Sequence, residues 1–294
     1  MRGMPGAGPR TMPAAAAASA AATAATATAT GIPSPSRAAR WGILGIIGVL
    51  FAVPVVAMVE FTLRRGLEGG YDLSRWVTVL TFNLGPEYRV LGTAIGNSLL
   101  LAAVTVALML VLLVPTMILV QLKLPRLRRL LEFVCLLPIS IPAIVLVVGL
   151  APVYGVIARA AGSGIWTLAF AYGVIVLPFA YRAVQSNLDA IDLATLTEAA
   201  RSLGASWPVV IARVLLPNLR PGLLAAAFIS VAVVLGEFTI ASLLNRQNLQ
   251  TALVIVQKDD PFIAVIVTLL SLLVAVALLL VIGIIGRGTT RRTS

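Results

Sequence analysis

Six long apolar stretches, at 41–63, 92–120, 130–154, 165–185, 221–244 and 262–286, alternate with shorter segments in which the charged residues gather. Each stretch is close to or beyond the about 20 residues that a helix needs to cross a hydrocarbon core of about 30 Å. At that depth no water satisfies the backbone, so uninterrupted apolar runs of this length predict helices rather than loops. The pattern therefore predicts an all-α polytopic membrane protein with six transmembrane helices over 41–286. Composition points the same way: 60% of residues are hydrophobic and only 11% charged, with a mean hydropathy of +1.03. No single soluble core could hide that much apolar surface.

Outside the spans, residues 1–40 are rich in Ala, Thr, Pro and Gly and read as a disordered tail. A signal peptide is the competing reading, but its apolar core would be Ala and Thr rather than Leu, and a full-length span follows directly. With the N-terminus inside, fifteen of the 22 Lys and Arg fall on inner segments, among them Lys123, Arg126, Arg128, Arg129, Arg182, Arg201, Arg213 and Arg220. That bias predicts both termini in the cytoplasm, including a basic tail at 287–294. The net charge of +11 then sits where anionic lipid is the expected partner. No basic patch interleaved with aromatics argues for nucleic acid.

The chain has no His and a single cysteine, Cys135, inside an apolar run. Metal ligation, disulfides and Ser-His or Cys-His catalysis lack their parts, and no cofactor is expected. Its two lysines, Lys123 and Lys258, follow Leu122 and Gln257, so no Gly-Lys-Ser/Thr phosphate loop is present. A protein of this kind is not itself an enzyme, and any ATP-driven work would come from another chain.

The most informative polar segment lies between the fourth and fifth stretches, at 188–217. Asp192 or Thr195 can cap a helix there, the latter in a capping box with Glu198. Leu193, Leu196, Ala200 and Leu203 recur at helical spacing and predict one apolar face. Gly204 is placed to end that helix in a left-handed turn, Ser206 to cap a second one, and Pro217 with Pro221 to end it. An interfacial helix resting on lipid headgroups would show the same spacing. The order Glu198-Ala199-Ala200, then Gly204, then Val214, Leu216 and Pro217 resembles the Glu-Ala-Ala loop of permeases of binding-protein-dependent ABC importers, with Val214 where Ile is commoner. The resemblance extends over roughly 90–286. It implies a cytoplasmic coupling loop between helices 4 and 5 and a place in a bacterial cell membrane. ABC ATPase subunits, a second permease subunit, identical or related, and an extracytoplasmic solute-binding protein are the implied partners.

Within the spans, Pro138 and Pro142 remove amide donors near the middle of the third stretch and predict a kink. That kink either lines a transport path or is tolerated for packing. Glu237 lies about 24 Å of helix beyond Pro221 and is the one acid well inside a span. It is expected on a translocation path or a subunit seam, with a hydrogen-bonded structural acid as the alternative. Asn97 and Ser98 either line the path or bond a neighbouring helix, and Gly92 and Gly96 are expected at close helix contacts. Leu188 to Asp192 and Gly236-Glu237-Phe238 look most like spermidine and putrescine permeases, with iron, phosphonate and sulfate relatives close behind. An ion-coupled secondary transporter would usually carry more than one deep ionisable group and often an inverted repeat, and a scaffold would leave the Glu198 loop unexplained.

Overall fold

A computed structural model of the protein describes residues 36–290, apart from 67, 68, 82 and 84. The expected tail lies almost wholly outside the described residues, as do 291–294 of the basic terminus. Two compact units divide the chain, Met1–Val56 and Ala57–Ser294, with the boundary inside the first helix. That helix, α1 (Arg37–Leu63), carries apolar residues along its whole length. The second unit continues with α2 (Ser74–Leu80), α3 (Arg89–Lys123), α4 (Arg128–Leu136), α5 (Ala143–Ala161) and α6 (Ile165–Leu188). It ends with α7 (Leu193–Ser202), α8 (Trp207–Asn218), α9 (Arg220–Gly236), α10 (Thr239–Leu243), α11 (Leu249–Asp259) and α12 (Pro261–Thr290).

Among the described residues, α1, α3, α5 and α6 are long and apolar enough to cross a membrane. The pair α8 and α9, bent by 74° between Asn218 and Arg220, makes a fifth span if it is counted as one. The third hydropathic stretch is where sequence and structure differ most. At Pro138 and Pro142 the chain breaks instead of kinking: α4 stops at Leu136, a 3-10 turn covers Leu137–Ser140, and Ile141 and Pro142 are extended. Neither proline can donate to the preceding turn, so the helix restarts at Ala143 and the apolar helix long enough to span is Ala143–Ala161. The fifth stretch breaks too, since α9 ends at Gly236 and Glu237 is extended, with φ −88° and ψ 126°.

The α6 and α9 pair lies at the centre of the unit, with α3 against both. The two helices approach closely at Gly222, where a Cβ would sit 2.8 Å from the Asn187 Cβ and 3.2 Å from the Ala183 carbonyl oxygen. Gly92 and Gly96, expected at such contacts, have nothing within 4 Å of that position. Three apolar clusters follow along the bundle. The first joins α3, α4, α6, α7, α8 and α9 around Met117, Tyr181, Leu188 and Leu215. The second joins α3, α5, α6, α9 and α10 around Leu101, Tyr172 and Ile240. The third lies at the opposite end and packs α2, α3, α11 and α12 through Leu91, Leu253 and Ile266. There Trp76 donates its indole N–H to the Thr62 hydroxyl at 3.0 Å, and Phe61 stacks on Phe262 at 4.8 Å. Glu60 pairs with Arg64 at 2.7 Å along α1.

Candidate functional site

The segment after α6 is built from its first residue. Asp192 caps α7, accepting from the Thr195 amide at 3.1 Å and the Thr195 hydroxyl at 2.6 Å. Those two bonds, hydroxyl first, hold its carboxyl below the ordinary carboxylate range. Thr195 is thus the capped residue and not the cap. At the other end, Gly204 adopts φ +83°. Its amide donates to the Arg201 carbonyl at 2.9 Å while the Ala205 amide reaches back to the Ala200 carbonyl at 3.1 Å. This is a Schellman termination, in which the left-handed residue satisfies the last carbonyls of a helix. Ser206 stands at the start of α8, but its side chain makes no capping bond.

The apolar face of α7 differs from expectation in one residue. Leu193 is buried and Leu196 and Ala200 are partly buried, whereas Leu203 is 87% exposed. The helix ends at Ser202, so Leu203 no longer follows helical spacing; the glycine turn swings it outward. Glu198 and Ala199 are exposed beside it. The rear of the hairpin is pinned by Val210, Leu215 and Leu219, each with no exposed surface. The five-residue step from Val210 to Leu215 comes from a π-helical turn over Val210–Leu215. That turn brings Leu215 inward and leaves Val214, Leu216 and Pro217 partly buried around it.

Two elements brace this hairpin on the bundle. The Lys123 Nζ lies 4.7 Å above the Trp207 ring, and Arg201 approaches the same ring at 5.6 Å. Arg128, at the start of α4, pairs with Asp189, at the end of α6, at 2.7 Å, and Gln185 donates to the same carboxylate oxygen at 2.8 Å.

A second constellation surrounds the break after α9. Both oxygens of the Glu237 carboxylate accept from the Ile240 amide, at 3.0 and 3.1 Å, which caps α10. The carbonyls left free by the break are met by side chains: Gln250 donates to Leu235 and Asn248 to Glu237, at 2.7 and 2.8 Å. Asn248 also donates to the Tyr172 hydroxyl at 3.1 Å and forms a reciprocal capping box with Thr251. Asn97 and Ser98 bond this loop, reaching the Gln247 carbonyl at 2.8 Å and the Leu249 amide at 2.7 Å. Such pairing is what irregular backbone inside an apolar bundle requires. The structure separates Glu237 from Pro138 and Pro142 in role: the former caps a helix, the latter two open one. Asn248, Gln250 and Tyr172 carry no motif and could not be found from spacing. Arg246, in the same loop, has its Nε buried with no hydrogen-bond partner among the described residues.

Residues 114–291, more than half of the chain, match the family model described as the binding-protein-dependent transport system inner membrane component. The chain is also similar to the Probable ABC transporter permease protein y4fN of Sinorhizobium fredii (strain NBRC 101917 / NGR234). The two are 28% identical over 252 residues, 81% of this chain. The chain spans 43% of the length of that relative.

Proposed function

The chain belongs to the family of binding-protein-dependent transport system inner membrane components, multi-pass, non-catalytic membrane proteins. From that premise we propose that it is the permease subunit of an ATP-driven importer. The observation that carries this reading is the Leu203-Gly204 turn. An 87% exposed leucine stands at the tip of a capped helix whose other side is anchored in the core. An exposed apolar knob on a rigid support suits insertion into a groove of another protein.

In this proposal the hairpin of α7 and α8 docks on a separate ATPase through Glu198, Ala199, Ala200 and Gly204, while Val214, Leu216 and Pro217 join it to α9. Six spans, cytoplasmic termini, a second permease subunit and an extracytoplasmic solute-binding protein complete the proposed assembly. ATP-dependent closure of the ATPase pair would move the hairpins and switch access to the path between two states. The broken helices at Pro138 and Pro142 and at Glu237 are the proposed path-lining segments, because broken spans offer polar groups at membrane depth. The sequence likeness around 188–192 and 236–238 supports a polyamine as cargo. An iron, phosphonate or sulfate importer is the second reading, on the same likeness.

Co-purification in mild detergent tests the docking. Wild-type protein is expected to retain an ATPase chain, identified by mass spectrometry, and membrane-inserted Gly204→Leu to lose it, because a leucine resists φ +83°. If well-folded wild type brings down no nucleotide-binding chain, the importer reading fails.

A further inference from the structure

Between α3 and α8 runs an open apolar groove that neither the docking tip nor the broken helices use. Pro115, Ile118, Leu119 and Leu122 line it from α3, and Trp207 and Ile211 from α8. Steps of three, one and three residues on α3 and of four on α8 give one stripe from each helix. The groove holds about 300 Å³, at the lower end of ligand-sized cavities and enough for part of an acyl chain. Its remaining lining residue is Lys123, whose ammonium lies 4.7 Å over the Trp207 ring, with Arg201 at 5.6 Å from the same ring. Neither cation has a carboxylate within 4 Å among the described residues. Arg126 is exposed three residues beyond Lys123.

An apolar slot with an indole and the Lys123 ammonium in its lining, and on the same indole the Arg201 guanidinium, which donates one N–H to the Ala205 carbonyl at 2.9 Å, matches a molecule with a long apolar chain and a negative head. In a membrane, the molecule of that chemistry is an anionic phospholipid, and cationic pockets between helices recognise such headgroups. A zwitterionic lipid would fill the slot equally well, but its own ammonium offsets its phosphate, so it compensates the two cations less than an anionic lipid does. We propose that this groove seats an acyl chain of an anionic phospholipid, whose phosphate rests on Lys123 and Arg201. The inference needs only that the chain is embedded in a bilayer. The cytoplasmic orientation proposed above decides no more than which leaflet supplies the lipid. Because Arg201 and Trp207 belong to the hairpin, the bound headgroup would also steady the docking helix against α3.

Quenching of Trp207 by brominated lipid in nanodiscs tests the site on the full chain with whatever partners co-purify. The Trp207 signal is the difference between wild type and Trp207→Phe, or that of a protein whose Trp41, Trp76 and Trp166 are all Phe. Brominated phosphatidylglycerol is expected to quench at on the order of five-fold lower mole fraction than brominated phosphatidylcholine, with the preference shrinking in high salt. Lys123→Gln should erase most of the preference and Lys123→Arg keep it. Equal quenching by the two lipids in wild type overturns the headgroup site, and that comparison stands even if Lys123→Gln fails to insert. No quenching by either means that protein, such as a second copy of this chain, fills the groove, and this also overturns the proposal. A clear lipid preference without any co-purifying ATPase would leave the lipid site standing while the importer reading falls.

Discussion

At Glu237 two roles of one carboxylate can be told apart. Its oxygens cap α10 through the Ile240 amide, which is a structural role, while its charge at membrane depth is what a transport path would use. Glu237→Ala removes both, and losing the cap costs about 1 kcal/mol, a drop of a few degrees in the melting temperature of the detergent-solubilised protein. Glu237→Gln keeps an oxygen for the amide and removes the charge. Uptake and solute-stimulated ATP hydrolysis by the assembled transporter are expected to fall at least several-fold in Glu237→Gln, with the melting temperature within about 1 °C of wild type. Unchanged uptake would confine Glu237 to its cap. Asp192 is the simpler case, because it lies outside the spans. Its carboxyl is held below the ordinary range, so its contribution is complete above about pH 4 and disappears only as pH falls through the lower folded-state value. The cap on α7 is therefore constant across neutral pH, and no pH dependence of docking should originate there.

At the scale of elements, the Arg128 to Asp189 pair joins two segments that move together in the proposed transport cycle. Asp189 ends α6 and leads within three residues to the cap of α7, while Arg128 begins α4, which leads to the break at Pro138. Both side chains are close to half exposed, 42% and 47%, so the pair contributes at most about 1 kcal/mol to stability. Its expected effect is on coupling: Arg128→Asp or Asp189→Arg should raise the ATP consumed per solute in proteoliposomes by up to about five-fold, the factor that 1 kcal/mol represents. The double reversal should bring the ratio back toward wild type, and if it does not, the two residues do not act through each other. The elements also show where a sequence can be read and where it cannot. Gly204 was legible because it acts through its own backbone, Asp192 was one of two caps that its short range allowed, and Pro138 and Pro142 marked an interruption of the third stretch but not that it is a break rather than a kink. Leu215 was hidden because the π-turn adds a residue, so that a 3.6-residue period from Val210 points to Val214 instead. Leu203 was misplaced because the period was carried one residue past the end of its helix. Asn248 and Gln250 were not legible at all, since they serve carbonyls 11 and 15 residues away that are free only because α9 breaks.

For the whole molecule, the proposed assembly requires the end of the bundle that carries the α7 and α8 hairpin to face an ATPase in the cytoplasm, the orientation that the positive-charge bias predicts. The structure supplies two reporters at opposite ends of the second unit. Leu203 stands out from the α7 and α8 hairpin, whose inner side packs into the first apolar cluster, whereas Ser74 begins α2, which packs into the third through Trp76 and Val79. The native Cys135 is buried, with 2% exposure, which lets either site carry a new cysteine over a low background. With the hairpin in the cytoplasm, Leu203→Cys should react with a membrane-impermeant maleimide in inside-out vesicles and hardly at all in intact spheroplasts. Ser74→Cys should show the reverse. Added purified ATPase should then protect Leu203→Cys, by an order of magnitude in rate if the leucine position inserts into its groove, and should leave Ser74→Cys unaffected. Labelling of both positions from the same side would contradict the arrangement of the bundle itself. Labelling from opposite sides in the reversed sense would keep the bundle and overturn the orientation, and with it the contact on which the proposed ATP-driven import depends.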